Sequence, residues 1–369
     1  MKHLVKLKDI ASYSKGTQIN GDDLANDAEY KYLNGGINPS GKWKEANCMA
    51  NTVTISEGGN SCGYVNYMTE PFWCGAHCYY IYDTIKNTQY LYYALKSQQD
   101  RIMELRSGAC MPNIKKGDLG NFKFIIDDDS YEQEKISTVL GKLEKLKRVR
   151  EYELIELNNL VRGRFVELFG DVSTETYKYE TRRLGEVANV GSSHRVFTTE
   201  FVDKGVPFYR GTEIGELAKG NKPTEPFYIS EEHYNRLAND DTKPKVGDLL
   251  MPSICNKGQV WMVDTDKPFY YKDGRVLCIS PNREFFNTKY FEHFMRIKTL
   301  VEYPKLGSGS TFAEFKIFML KGIDVLVPPI ELQNQFADFA HQVDKSKFRG
   351  FSMLTTMKSA YEQQTLIYP

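Results

Sequence analysis

The chain has 369 residues, and its 48 Lys and Arg balance its 48 Asp and Glu, so the formal net charge at pH 7 is zero. This length is sufficient for two domains that each bury a core of their own. The balanced charge argues against a free-standing nucleic-acid binder, which usually has a basic excess, although a local patch or a partner subunit would supply the same field.

Membrane and secreted proteins are also excluded by the sequence. No apolar stretch approaches the roughly 20 residues of a membrane span, and residues 1–8 lack the core of a signal peptide. The seven Cys are scattered, which fits reduced thiols better than a disulfide framework. We therefore expect a cytoplasmic protein without a membrane partner.

The first part of the chain, residues 1–130, is predicted to be a mixed domain of strands and helix. β-Branched and aromatic residues cluster at 53–55, 64–65 and 78–81 between Gly, Asn and Pro, which is typical of short strands. From 90 to 105, apolar residues lie near one helical face, which predicts a single helix.

Residues 131–170 have a different sequence pattern, in which apolar residues recur at helical spacing among many charged ones. We predict one helix of roughly 36 residues, about 54 Å long at 1.5 Å per residue. It ends at Phe169-Gly170, since Gly commonly follows a helix C-terminus.

Residues 171–330 and 331–369 repeat this order of a mixed domain and a long helix. Strands are predicted at 249–251, 260–263 and 276–279, and helices at 290–301 and from 331 to about 367. Single helices of such length expose apolar stripes, so we expect the two long helices to pair as an antiparallel coiled coil that spaces the domains. A helical linker without a measuring role is the alternative. The predicted fold class is α+β.

A long internal repeat supports this organisation. Asn87-Thr88-Gln89-Tyr90 returns as Asn287-Thr288-Lys289-Tyr290, at an offset of 287 − 87 = 200 residues. Solenoid repeats are about 20–50 residues long, so the repeated piece is a whole domain. Residues 7–11 resemble 184–188, and Gln133 and Gln333 follow in the same order.

Motifs for catalysis or metal binding are incomplete in this sequence. The 36–43 loop resembles a phosphate-binding loop, but Trp43 stands where Ser or Thr would ligate magnesium. Glu314-Phe315-Lys316 has a nuclease-like spacing but no obvious partner Asp, and Cys74, His77 and Cys78 lack a second ligand pair for zinc. We predict a protein that is not an enzyme, with no cofactor or metal of its own.

Polar loops are the better candidates for function, because they combine Gly with hydrogen-bond donors. Arg suits guanine, Asn and Gln suit adenine, and Ser, Thr and Lys suit phosphate, although any one such loop is more often a solvated turn. The DNA-contact candidates in the first domain are Asn34, Lys42, Trp43, Asn60 and Asn113. Those in the second domain are His194, Arg195, Arg210, Asn256, Lys257, Gln259, Lys272, Arg275, Ser308, Ser310 and Thr311.

The order of domain, helix, domain and helix resembles the specificity subunits of type I restriction–modification systems. The resemblance covers essentially the whole chain and rests on residues 184–188, 206–211 and 246–250, on Pro328-Pro329 with Gln333, and on the close of the first long helix at 165–170. The first copy departs from the pattern at 32–35, 51–52 and 127–129, which puts its contact residues in doubt.

This resemblance implies a non-catalytic reader of double-stranded DNA, with one half of a bipartite target for each domain. The long helices would set the gap and dock two methyltransferase subunits that bind S-adenosylmethionine, and motor-nuclease subunits would join them. The helix residues implied in partner binding are Leu143, Leu146, Leu157, Leu160, Phe336, Phe339, Val343 and Leu354. The alternatives are the recognition part of a fused methyltransferase–nuclease, and a protein-binding scaffold.

Overall fold

A computed structural model describes residues 2–108, 111–240, 242–306 and 313–365, with side chains in the last helix as far as residue 347. The chain forms two compact units. The first unit is Met1–Glu153 with Gly350–Pro369, and the second unit is Leu154–Arg349. The finer division at 130, 170 and 330 stays a prediction. Within the described residues, no helix is long and apolar enough to cross a membrane.

The first unit is built mainly from short strands. Its strands are β1 Lys2–Lys6, β2 Ala11–Lys15, β3 Tyr30–Leu33, β4 Gly41–Trp43, β5 Thr52–Ser56, β6 Val65–Met68, β7 Phe72–Cys74, β8 Cys78–Thr84 and β9 Lys123–Asp127. Its helices are α1 Leu7–Ile10, α2 Thr88–Lys96, α3 Gln99–Met103 and α4 Lys116–Asn121, and α5 Ser130–Phe169 continues into the second unit.

Three small sheets hold the first unit together. A four-stranded antiparallel sheet has the order β2-β8-β5-β6, a three-stranded sheet has the order β4-β3-β7 with β3 parallel to β7, and β1 pairs with β9. Every residue of the central strand β5 is buried, which explains its β-branched sequence.

The second unit repeats these elements. Its strands are β10 Gly170–Asp171, β11 Thr176–Tyr177, β12 Thr181–Arg183, β13 Ala188–Gly191, β14 Phe201–Val202, β15 Val206–Tyr209, β16 Phe227–Ile229, β17 Leu249–Pro252, β18 Trp261–Met262, β19 Tyr270–Tyr271, β20 Val276–Pro281 and β21 Asp324–Leu326. Its helices are α6 Leu184–Val187, α7 Gly211–Leu217, α8 Glu231–Leu237, α9 Thr288–Glu302, α10 Ile317–Lys321 and α11 Ile330–Thr365, the last of which extends into the first unit.

The three sheets of the first unit have counterparts in the second, which adds the strand β14 to one of them and has a further two-stranded sheet, β10-β11. The antiparallel sheet β13-β20-β17-β18 matches β2-β8-β5-β6, the parallel pair β15 and β19 matches β3 and β7, and β12 with β21 matches β1 with β9. The fold is therefore α+β with two repeated mixed domains and a long helix between them, as the sequence predicted.

The 200-residue repeat marks the junction between each domain and its long helix. The side chain of Asn87 caps α2 by accepting from the Tyr90 N–H at 2.9 Å, and Asn287 caps α9 in the same way. The Asn87 N–H donates to Gln133 Oε1 at 3.1 Å, and the Asn287 N–H donates to Gln333 Oε1 at 2.9 Å. Each cap is thus tied to the first turn of the following long helix.

One predicted element was wrong, because the helix expected over 90–105 is two helices that meet at Ser97 and Gln98. The Ser97 hydroxyl donates to the Ala94 carbonyl at 2.8 Å, and the Gln98 N–H bonds the Leu95 carbonyl at 3.0 Å in a tighter turn. Such local bonds compete with the α-helical ladder and end it.

The structure contains both long helices, the first somewhat longer than the roughly 36 residues predicted. Helix α5 has 40 residues and α11 has 36, and the predicted end near 367 lies outside the described residues. Phe336 packs edge-on against Phe165 with ring centroids 5.1 Å apart, and it lies in the same cluster as Phe169 and Tyr290. The start of α11 and the end of α5 therefore share the core of the second unit.

Candidate nucleic-acid interface

Backbone hydrogen bonds gather several chain segments at one place in the first unit. The Gly75 N–H donates to the Leu33 carbonyl at 2.9 Å, which joins the ends of β3 and β7. The Glu57 N–H donates to the His77 carbonyl, and the Ile114 N–H donates to the Glu57 carbonyl, both at 2.9 Å. The ends of β3 and β5, the turn before β8 and the segment before α4 thus meet.

The same bonds recur in the second unit. The Lys272 N–H donates to the Tyr209 carbonyl at 2.9 Å, and the Ser253 N–H donates to the Arg275 carbonyl at 2.8 Å. The Phe315 N–H then donates to the Ser253 carbonyl at 2.8 Å. His77 and Arg275 therefore occupy equivalent positions in the two domains.

These bonds define an equivalent corner in each unit. The first corner consists of Lys15, Asn34, Glu57, His77 and Asn113. The second corner consists of Ser192, Arg210, Ser253, Arg275 and Glu314 in the same order. The framework is shared but the side chains at all five positions differ.

A carboxylate organises the first corner. Glu57 accepts from Lys15 Nζ at 2.8 Å through Oε1, and its Oε2 lies 3.3 Å from His77 Nδ1. The Glu57 side chain is only 11% exposed, whereas Lys15 is 45% and His77 60% exposed. Asn34 supports the turn, because its Oδ1 accepts from the His77 N–H at 3.1 Å and leaves no space for a Cβ on Gly75.

Arg210 is held in a fixed orientation in the second corner. Its Nη2 donates to Glu213 Oε1 at 2.6 Å and its Nε to Oε2 at 3.1 Å, a two-point contact with a buried carboxylate. The guanidinium lies over the Phe227 ring, 4.5 Å from the centroid. The hydrogen bond to Glu213 raises the pKa of Arg210 above its ordinary value, so it stays charged.

Glu314 holds two cations in the second corner, as Glu57 holds Lys15 and His77 in the first. It forms ion pairs with Arg275 and, at 2.8 Å, with Lys316. The hydrogen bond from Lys316, together with the charge of Arg275, holds the pKa of Glu314 below its ordinary value despite the opposing effect of burial.

Arg195 and His194 lie on the same side of the second unit, near the β19–β20 turn. Arg195 Nε lies 3.3 Å from Asp273 Oδ2, in the turn that also carries Lys272. His194 Nε2 lies 2.7 Å from Asp240, whose pKa is lowered to about 2 by hydrogen bonds from Thr242 and His194.

Lys257 and Gln259 lie apart from His194 and Arg195. They line an open groove of about 750 Å³, together with His293 and Arg296. Gln259 Oε1 accepts from the Lys257 N–H at 2.9 Å, and Asn256 is exposed in the same loop. Burial lowers the pKa of His293 to about 4, so its ring is neutral near pH 7.

Lys42 and Trp43 lie on the edge strand β4, away from the first corner. Trp43 pairs with Tyr30, at the end of β3 opposite to Asn34. Its ring packs against Trp73, and its Nε1 is buried without a hydrogen-bond partner in the part of the chain described here. Asn60 is exposed two residues after Gly58, which bridges to Asn113. Ser308, Ser310 and Thr311 lie outside the described residues.

The decisive comparison is with protein families. A family model for the type I restriction modification DNA specificity domain matches residues 2–159 and 177–349, which include both corners. The chain belongs to this family. Because each matched segment contains one mixed domain, the family's domain occurs twice in the chain.

Relatives in this family come from several bacteria. A protein named as a type I specificity subunit in Mycoplasma pneumoniae is 32% identical over 223 residues, which cover 57% of this chain and 59% of the relative. One of the same kind in Mycoplasma genitalium is 29% identical over 238 residues, covering 60% and 61%. The match thus spans about three fifths of the length of these curated relatives.

A solved structure shows the same fold over the whole chain. The crystal structure of a type I restriction–modification S subunit from M. genitalium matches with a TM-score of 0.68 at 18% identity, covering 99% of this chain and 95% of that one. At this identity the likeness concerns the fold.

The specificity-domain fold brings some of the predicted site residues together and leaves others apart. Asn34 and Asn113 meet in the first corner, and Arg210 and Arg275 meet in the second. The sequence reasoning missed Lys15, Glu57, His77 and Lys316, because it considered the 74–78 segment only for zinc and Glu314-Phe315-Lys316 only for a nuclease. The repeat would have found His77, which aligns with Arg275 at an offset of 275 − 77 = 198 residues.

The predicted partner-binding residues have unequal access to solvent. Leu146 and Leu160 are 50% and 52% exposed, and Leu143, Leu157 and Phe339 are partly buried against the cores. Phe336 and Val343 are buried in the second core, and the side chain of Leu354 lies outside the described part of α11. The assignment of these residues to partner binding stays a prediction.

Proposed function

We propose that this chain is a non-catalytic DNA-reading subunit of a type I restriction–modification complex, in which each domain reads one half of a bipartite target. The proposal rests on one observation. Two copies of one specificity domain have equivalent corners with different side chains. A shared framework with unlike donors suits two different half-sites, because base edges are distinguished by their hydrogen-bonding patterns. The family match favours this function over a scaffold or a fused enzyme.

The long helices complete the proposal. We infer that α5 and α11 pair in antiparallel fashion, fix the gap between the half-sites and dock two methyltransferase subunits. The exposed Leu146 and Leu160 on α5 would belong to that docking face. S-adenosylmethionine would be bound by the methyltransferase subunits, and motor-nuclease subunits would join the complex in the cytoplasm.

Partner subunits also account for the balanced charge of the chain. Binding to a duplex requires many phosphates to be neutralised, and the net charge of zero shows no general excess of cations for this purpose. In a complex, the methyltransferase subunits would contribute much of that neutralisation.

Mapping of methylated bases tests the proposal. The chain is co-expressed with its proposed methyltransferase partner, and methylated adenines are located across the host genome by single-molecule sequencing. A two-part motif with a fixed gap, present only when both subunits are expressed, is the expected result. A continuous motif, or no motif, would contradict it.

A further inference from the structure

Each corner contains a glutamate of low exposure that holds two exposed side chains with nitrogen donors, which lie in the corner or, for Lys316, directly beside it. Glu57 holds Lys15 and His77 in the first corner. Glu314, 18% exposed, holds Arg275 and Lys316, which are 58% and 55% exposed. The arrangement recurs even though the two glutamates are not at equivalent positions, because Ser253 stands where Glu57 would be and Asn113 where Glu314 would be.

The exposed partners of each glutamate satisfy its charge, but their own ends stay in water, where ion pairs contribute little to folding. The glutamate also orients these partners, and a fixed donor loses less conformational entropy when a ligand binds. Oriented donors of this kind suit a ligand outside the protein.

Both glutamates leave hydrogen-bonding groups free for that ligand. A lysine ammonium has three N–H donors, and Glu57 takes one from Lys15. A carboxylate only accepts, so His77 Nδ1 carries the hydrogen that faces Glu57, and Nε2 on the other side of the ring stays available to a ligand. Arg275 contacts Glu314 through Nη1, which leaves Nη2 and Nε for a second acceptor.

We propose that Lys15 and His77 are the DNA-contacting group of the first domain, oriented by Glu57, and that Arg275 and Lys316 are their counterpart in the second. The proposal rests on the DNA-reading function proposed above. Lys15 and Lys316 contact phosphates, which suits a compact charge. His77 Nε2 contacts a base edge in the major groove, and Arg275 donates to guanine.

The test uses the full chain in complex with its methyltransferase partner, and binding to duplexes that carry the mapped motif or single-base changes of it. The variants are Lys15→Ala, His77→Ala, Arg275→Ala and Lys316→Ala. The controls are Lys31→Ala and Arg182→Ala, which remove exposed cations paired with Glu70 and Glu180 outside the corners. Binding is measured at several salt concentrations, and thermal melting checks that each variant folds.

His77→Ala is expected to reduce discrimination about tenfold at one base pair of one half-site, and Arg275→Ala at one base pair of the other. Lys15→Ala and Lys316→Ala should weaken binding to all sequences and make the slope of log K against log salt shallower by roughly 0.9 each. Glu57→Gln should relax the same base pair as His77→Ala, because it removes the charge that orients the ring. The controls should change neither discrimination nor slope.

Two outcomes would overturn the inference in distinguishable ways. If the wild-type complex reads a bipartite motif but the four variants keep its discrimination and salt slope, Lys15, His77, Arg275 and Lys316 are not the contact residues while the proposed function stands. If the wild-type complex shows no sequence preference at all, the proposed function and this inference fall together.

Discussion

At the scale of single residues, the fixed orientation of the Arg210 guanidinium leads to a prediction about base reading. Glu213 binds its Nε and Nη2, so the opposite edge of the guanidinium keeps its donors. We predict that Arg210→Ala relaxes one base position in the half-site of the second domain by about 1–3 kcal/mol. Arg210→Lys should not restore it, because lysine lacks the planar fork. Methylation of the same motif at the same rate by the Ala variant would show that Arg210 reads no base.

His293 makes the stability of the second unit depend on pH. Its pKa is about 4 in the folded chain against 6.5 when unperturbed, because the partly buried ring packs edge-on against Phe336 and its charged form would be poorly hydrated. Between pH 6.5 and 4 the unfolded chain takes up a proton that the folded chain does not, so stability falls as the pH falls. The loss is at most about 3.5 kcal/mol, at about 1.4 kcal/mol per pKa unit.

Urea unfolding of wild type and His293→Gln between pH 7 and pH 4 measures this effect. The wild type should lose more stability than the variant across that interval, because Gln does not titrate whereas His293 takes up a proton in the unfolded chain. Parallel stability curves would contradict the lowered pKa of His293.

At the scale of elements, Gln333 connects the start of α9 to the start of α11. It is fully buried, accepts from the Asn287 N–H and donates to the carbonyls of Phe285 and Pro328, both at 2.8 Å. Gln333→Ala would leave these backbone groups unpaired, and we expect a loss of about 3 kcal/mol in urea unfolding. Gln342→Ala, on an exposed position of α11, is the matched control and should change stability by less than about 0.5 kcal/mol.

The elements also show what the sequence could and could not predict. Helix α5 and the strands β5 and β17 were predicted because their apolar spacing or β-branched clusters are strong local patterns. The break at Ser97 was missed because it depends on side-chain bonds to carbonyls rather than on spacing. The corners were predicted only in part, since the meeting of Glu57, His77 and Asn113 depends on strand register and on loops distant in sequence.

At the scale of the whole molecule, the two units have separate cores. The described buried residues of one core lie between Leu7 and Leu140, and those of the other between Val161 and Val343. We predict that Phe336→Ala destabilises the second unit by about 3–5 kcal/mol, because it leaves a cavity among aromatic rings. Hydrogen exchange should show lost protection within 154–349, whereas Phe124→Ala should lower protection within 1–153. Equal loss in both units from either variant would indicate a single cooperative core.

The hydrogen bonds that join the segments of each corner run mainly between backbone atoms, and the side chains of Asn34 and Ser192 add to them. The side chains of His77 and Arg275 take no part in these bonds. We therefore expect that their exchange changes base recognition while the free energy of unfolding stays nearly constant. New specificities would then arise by single substitutions in a scaffold that stays folded throughout.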